Sequence, residues 1–120
     1  MNLILAVFIG GGLGSVCRYA LSLWTRTWGF QLPMGTLLSN ILACVVLGLA
    51  VGALQDKLYS QNFIGTLVIV GFCGAFSTFS TFSFETLQLI KTGHFWVAAA
   101  NVIISLFTCL IILWWLMKKS

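Results

Sequence analysis

Along this chain the polar positions are confined to short intervals between long apolar runs. Four runs stand out, at about residues 3–23, 34–54, 63–84 and 95–117. Each has about the 20 residues that a helix needs to cross ~30 Å of hydrocarbon at 1.5 Å rise per residue. The pattern predicts an all-α integral membrane protein, a single four-helix transmembrane domain over residues 1–120. The intervals between runs carry breakers or polar residues: 24–33 holds Gly29 and Pro33, 55–62 is polar, and 85–94 includes Gly93. The first run is too long for a secretory signal, lacks a basic leader and cleavage signature, and is followed by further spans, so it is expected to stay in the mature protein.

Composition excludes several classes of function. Sixty per cent of residues are hydrophobic and only 7% are charged, against roughly a quarter charged in a soluble domain, so a water-soluble monomer is ruled out. The six Lys and Arg outweigh two Asp and Glu, but apart from Lys118 and Lys119 they are scattered singly. No basic stripe exists to track a phosphate backbone, and no nucleic-acid partner is expected. Cys17, Cys44, Cys73 and Cys109 are separated along the sequence with no CxxC spacing and read as small apolar packing residues. An enzyme is not expected: four spans leave no room for a catalytic domain, and a disulfide-exchange enzyme would want paired, accessible cysteines. A path through one thin four-helix unit would leave its polar groups close to lipid, which predicts at least a dimer.

Charge bears on how such copies would sit. With four spans, Lys57, Lys118 and Lys119 lie on one side, and Arg26 and Lys91 lie on the other with Arg18 near the end of the first span. Three against three leaves no Lys/Arg excess to set orientation. Dual topology is expected, with two oppositely inserted copies pairing as an antiparallel homodimer about a two-fold axis in the membrane plane. A weakly biased single orientation is the alternative.

Inside the spans, a few residues could carry chemistry. Gly10 and Gly14, and again Gly48 and Gly52, stand at the spacing that lets another backbone approach, which points first to helix packing. Arg18 is either an interfacial snorkelling arginine or an electropositive mouth for an anion. Thr36 and Asn40 share a helical face, and the Asn40 amide can glue helices together or offer donors to a passing anion. Asn101, Ser105 and Thr108 or Cys109 give the fourth span a modest polar stripe that could line a path or bond across helices. Glu85, at the end of the third span, and His94 read as solvated. With no Asp, Glu or Lys expected at mid-membrane, a small multidrug antiporter, which needs an embedded acidic residue, is disfavoured against passive conduction.

The third span is the unusual one, running Gly71-Phe72-Cys73-Gly74-Ala75-Phe76-Ser77-Thr78-Phe79-Ser80-Thr81-Phe82-Ser83. Two glycines followed by a hydroxyl-rich run weaken the helix near mid-membrane, and a break there would expose backbone groups to protein, water or an ion. Phe79 and Phe82 share a face. Aromatic rings carry a positive edge, so two ring edges turned to a path would favour an anion without a full charge. Ordinary aromatic packing, with hydroxyls bonded back to their own helix, is the competing reading.

Over essentially its whole length the chain resembles the Fluc, or CrcB-type, family of small fluoride channels. The run from Gly71 to Ser83 carries the resemblance most specifically, with Gly35-Thr36-Leu37-Leu38-Ser39-Asn40 and the segment from Gly14 to Arg18 as second and third motifs. Ala75 and Ser77 depart from the commoner glycine and threonine. The resemblance implies a broken third helix, an antiparallel dual-topology homodimer with two fluoride pores, and a structural Na+ ion at the dimer centre held by the carbonyls of Gly74 and Ser77. It implies that Phe79, Phe82 and Asn40 meet fluoride, that Thr36, Ser80 and Thr81 line a polar track, and that Asn101 and Ser105 face the pore. Arg18 and Glu85 would belong to the vestibule. The expected role is passive export that lowers cytoplasmic fluoride, across a prokaryotic inner membrane.

Overall fold

Helices begin here where a side chain or a proline relieves the unpaired N–H groups of a first turn. The computed structural model describes residues 2–53 and 62–118; Lys57 and Lys119, together with residues 54–61, lie outside them. Asn2 caps the first helix, α1 (Leu3–Thr25), its Oδ1 accepting from the Ile4 N–H at 2.9 Å. A single 3₁₀ turn, Arg26–Trp28, follows and is stopped by Gly29 at a φ of 74°. Only glycine takes that left-handed conformation without strain. The second helix, α2 (Met34–Ala53), opens directly after Pro33, whose carbonyl accepts from the Leu37 N–H at 3.0 Å.

The third span is built in pieces. Asn62 caps it by accepting from the Ile64 N–H at 2.9 Å. The helix α3 (residues 63–76) then runs through one α-helical turn, Phe63–Gly65, a π-helical stretch, Thr66–Cys73, and a last turn, Gly74–Phe76. Ser77 and Thr78 are extended, with φ/ψ of −81°/156° and −153°/125°. Thr78 then caps α4 (Phe79–Lys91), its Oγ1 accepting from the Thr81 N–H at 3.2 Å. Gly93, at a φ of 86°, turns the chain into α5 (Phe95–Lys118). Every described element is helical, and the four spans Leu3–Trp28, Met34–Ala53, Phe63–Lys91 and Phe95–Lys118 are each long and apolar enough to cross a membrane. The long dimension of 49 Å matches a bilayer of about 40–45 Å with its headgroup layers.

Two differences from the sequence reading affect the site. Helix α1 runs two residues past 23 before its 3₁₀ turn, and α4 continues to Lys91. Glu85 therefore stands inside a helix, about 9 Å from its end at 1.5 Å per residue, and is half-buried rather than freely solvated.

Packing divides into two seams. Along the first, α1 meets α3 backbone to backbone: a Cβ on Gly10 would run into the Leu67 carbonyl, and one on Gly14 into the Phe72 carbonyl. These two glycines serve close helix approach. Along the second, α2 packs on α5, where a Cβ on Gly48 would fall 2.8 Å from Leu116 Cδ1. The interior is made of small side chains, Ala6, Ala43, Cys73 and Ala98, with Leu37 and Phe76, while large apolar residues such as Phe8, Val16, Phe107 and Leu110 face outward. That is the burial pattern of a helical unit whose surroundings are themselves apolar.

Candidate functional site

Asn40 on α2 is the point at which the third span is held. Its Oδ1 accepts from the Thr78 N–H at 2.8 Å, and its Nδ2 donates to the Thr78 carbonyl at 3.5 Å. In a continuous helix the Thr78 N–H would close a turn onto the Gly74 carbonyl. Here it is diverted to a side chain from another helix. The next carbonyl, that of Ala75, receives the Nε–H of Arg18 at 3.0 Å. Arg18 is thus bonded to the backbone of the third span, where the sequence alone placed it at an aqueous mouth or in the headgroup layer. Ser77 turns its own hydroxyl back to the Cys73 carbonyl at 2.8 Å.

Three side chains from the glycine-to-hydroxyl region and α2 meet around a cleft of about 280 Å³. Phe79, Phe82 and Asn40 line it, with Thr78, Ser77 and Cys44, and α5 supplies Ser105, Leu106, Cys109 and Leu110. The rings of Phe79 and Phe82 lie 6.1 Å apart and tilted by 39°, within the range of attractive aromatic pairs. Phe79 is 79% exposed, so this cleft has an open side on the single chain.

A second, more polar cavity of about 330 Å³ adjoins the other end of the same helices, lined by Ser22, Thr25, Arg26, Gln31, Thr36 and Glu85 among others. Thr36 is one turn from Asn40 on α2, and Glu85 is one turn from Phe82 on α4. One helical turn on each of two neighbouring helices therefore leads from the polar cavity to the aromatic cleft. The Thr36 hydroxyl lies beside the Glu85 carboxyl, whose Oε1 is buried with no hydrogen-bond partner among the described residues. A third, shallower cavity of about 220 Å³ carries Glu85 on toward Gln88 and Thr92 at the end of α4.

The remaining expected residues are placed unevenly. Ser105 lines the cleft, with its Oγ buried and unpaired. Asn101 is fully buried, and its Nδ2 donates to Thr86 Oγ1 at 3.0 Å, which in turn donates to the Phe82 carbonyl at 2.7 Å. It stands behind Phe82 in the α4–α5 seam. Ser80 is exposed, its hydroxyl 3.4 Å from Thr78 Oγ1, and neither it nor Thr81 is among the residues lining the cleft. Gly74 is exposed on a separate apolar cleft that it shares with Ser77, Cys73 and Cys44, and a Cβ there would meet nothing within 4 Å.

Sodium is a hard cation that takes oxygen ligands, backbone carbonyls among them. The Gly74 carbonyl, from which the Thr78 N–H is diverted, and the carbonyl of extended Ser77 are oxygens of that kind on residues that line one cleft, so the residues present fit such an ion. No group of three or more His, Cys, Asp or Glu that could hold a metal occurs among the described residues.

The bonds of Asn40 to Thr78 and of Asn101 to Thr86 were not foreseen from the sequence, nor was the shared cleft of Cys44 and Cys109. Only Thr78 left a signal, since a threonine three residues before Thr81 at a helix start is a capping pattern.

Residues 5–117 match the family described as CrcB-like protein, Camphor Resistance (CrcB). The chain belongs to the CrcB-like family. A CrcB-like relative from Serratia proteamaculans (strain 568), named fluoride-specific ion channel FluC, is 40% identical over 106 residues, which cover 88% of this chain and 84% of the relative. One of the same name from Coxiella burnetii (strain CbuK_Q154) is 39% identical over 116 residues, covering 95% and 93%. A third, from Salmonella arizonae, is 40% identical over 106 residues. These CrcB-like relatives are named as ion channels, not as enzymes, and four membrane-crossing helices make this chain a multi-pass membrane protein.

Proposed function

We propose that this protein is a fluoride-selective channel that lets fluoride leave the cell passively, down its electrochemical gradient, and so lowers cytoplasmic fluoride. The observation that carries the reading is the succession of a polar cavity at Glu85 and Thr36 and, one helical turn along the same two helices, an aromatic cleft at Phe82, Asn40, Phe79 and Thr78. Fluoride is small and strongly hydrated, so a path must replace its water with donors and positive ring edges. The Thr36 hydroxyl, the Asn40 amide and the edges of Phe79 and Phe82 are groups of that kind, and none binds so strongly as a full charge would.

The working unit in this reading is an antiparallel dual-topology homodimer in the inner membrane, with two pores and a central Na+ ion. Support comes from the even Lys/Arg tally, from the open side of the cleft at Phe79, and from the exposed position of Gly74 with Ser77 half-buried beside it on the same cleft. One chain offers too few carbonyls for a cation's shell, and a second copy across a two-fold axis would double them. The Gly74 and Ser77 carbonyls of the two chains would hold the ion, which would supply a positive partner for carbonyl dipoles and tie the copies together.

Efflux from liposomes holding the purified protein tests the proposal, with fluoride and chloride electrodes read side by side and an ionophore carrying the compensating cation. Fast fluoride release without chloride release is the expected result. No fluoride release from verified dimers would overturn it.

A further inference from the structure

Cys44 and Cys109 lie on different helices, yet both line the cleft of Phe79 and Phe82. They reach that cleft from the two helices of the α2–α5 seam, near enough for the two side chains to interact. Both are free and half-buried. The seam that brings them together is a tight one, since Gly48, one turn beyond Cys44, admits no Cβ against Leu116.

We infer that Cys44 and Cys109 form a two-sulfur site for a soft divalent metal ion, of which Hg2+ is the probe, set in the wall of the cleft. Thiolates prefer soft ions over hard ones, and two sulfurs supply the whole shell of an ion that accepts linear two-coordination. Binding Hg2+ forms two S–Hg bonds, breaks two S–H bonds and releases two protons. No oxidant or reductant is needed. The product is neutral, which matters where burying net charge in a low dielectric is costly; a monovalent soft ion on the same two thiolates would leave a negative charge. Cys73 lies on the other side of Cys44, on a separate cleft, and Cys17 is exposed on α1, so both serve as controls. A bridged metal would tie α2 to α5 beside Phe79 and Phe82 and obstruct the cleft. The obstruction rests on the conduction reading above; the metal site itself does not.

The test loads the purified full chain with one equivalent of Hg2+, challenges it with excess 2-mercaptoethanol, and measures retained mercury per chain by mass spectrometry. The wild type, Cys17→Ala and Cys73→Ala are expected to hold one equivalent, because an intramolecular pair outcompetes separate monothiols. Cys44→Ala and Cys109→Ala should retain at least about tenfold less, as should Cys44→Ser and Cys109→Ser, which keep the side-chain volume if an alanine variant folds poorly. Wild-type retention in a Cys44 or Cys109 variant, or loss that follows Cys73 or Cys17, would overturn the assignment. In liposomes, Hg2+ should stop wild-type fluoride efflux and leave each Cys44 or Cys109 variant at its own untreated rate. Should mercury retention depend on both cysteines while untreated wild type moves no fluoride, the metal site stands and the conduction reading falls.

Discussion

Asn40 and Thr78 hold one another through both polar groups of the Asn40 amide, which accepts the Thr78 N–H at 2.8 Å and donates to the Thr78 carbonyl at 3.5 Å. An extended residue at membrane depth needs such a partner, since lipid offers none. The amide therefore performs the task that the next helical turn would have performed. Asn40→Ala leaves a part-buried N–H unpaired at a cost of about 1–3 kcal/mol. Thermal unfolding in detergent is expected to show a lowered midpoint, and liposome efflux a lowered fluoride rate. A variant with wild-type melting and wild-type flux would remove Asn40 from both roles.

Phe79 and Phe82 present paired rings to the cleft. If their edges stabilise a passing anion, replacing either with isoleucine removes that stabilisation; a loss comparable to that of an aromatic pair, about 0.5–1.5 kcal/mol, is a roughly two- to tenfold fall in fluoride flux. Assembly should survive, because isoleucine keeps a large apolar side chain on the face that is open on the single chain. Size-exclusion chromatography run beside the efflux assay separates the two effects. Unchanged flux in both Phe79→Ile and Phe82→Ile would refute the pore role.

The four spans were legible in the sequence because a span is a one-dimensional property, a length of apolar chain matched to a thickness of hydrocarbon. Thr36 and Asn40 were legible as neighbours for a similar reason, since helical periodicity sets a shared face. Their partners were not. Nothing local to Asn40 points to Thr78, 38 residues away, and nothing local to Arg18 points to the Ala75 carbonyl, 57 residues away. The partner of Arg18 was hidden for a physical reason: a lone arginine near a helix end has water as its default partner, and only the packed fold shows a closer one. Asn101 reads as part of a polar stripe on α5, but which way the stripe faces depends on Thr86 of α4, where its amide is bonded.

Gly10 and Gly14 differ from Gly12 in what surrounds them. A methyl group at Gly10 meets the Leu67 carbonyl and one at Gly14 the Phe72 carbonyl, whereas one at Gly12 meets nothing within 4 Å. Backbone atoms cannot rotate aside, so Gly10→Ala and Gly14→Ala must push α1 away from α3, an overpacking cost of about 1–3 kcal/mol. Gly12→Ala is the matched control and is expected to melt like the wild type. Equal melting of all three would mean that the α1–α3 seam is looser than the backbone contacts require.

Arg18 donates from its Nε to the Ala75 carbonyl at 3.0 Å, a charge-assisted bond to the backbone just before the extended residues. Lysine keeps the charge but not the planar fork. If the bond orients the third span, Arg18→Lys should lose flux nearly as Arg18→Ala does. If charge alone matters, through the field at the mouth, Arg18→Lys should keep most of the flux and its dependence on ionic strength. Side-by-side efflux at low and high salt decides between them, and the geometry predicts the first outcome.

The Lys/Arg tally of three against three makes orientation the most easily shifted property of this chain. A label on the C-terminus should report both sides of the membrane in cells. Adding Asn2→Lys and Ser120→Lys places two more charges on the N- and C-terminal side and should fix a single orientation. An antiparallel dimer cannot form from such a population, so fluoride efflux from those cells should collapse although each chain is folded. Co-expression with a Thr27→Lys, Thr92→Lys variant, biased the other way, should bring efflux back, because each population then supplies what the other lacks. Rescue is the discriminating step: a channel built from parallel copies would gain nothing from an oppositely inserted partner, and a wild-type label found on one side only would remove the antiparallel dimer at once.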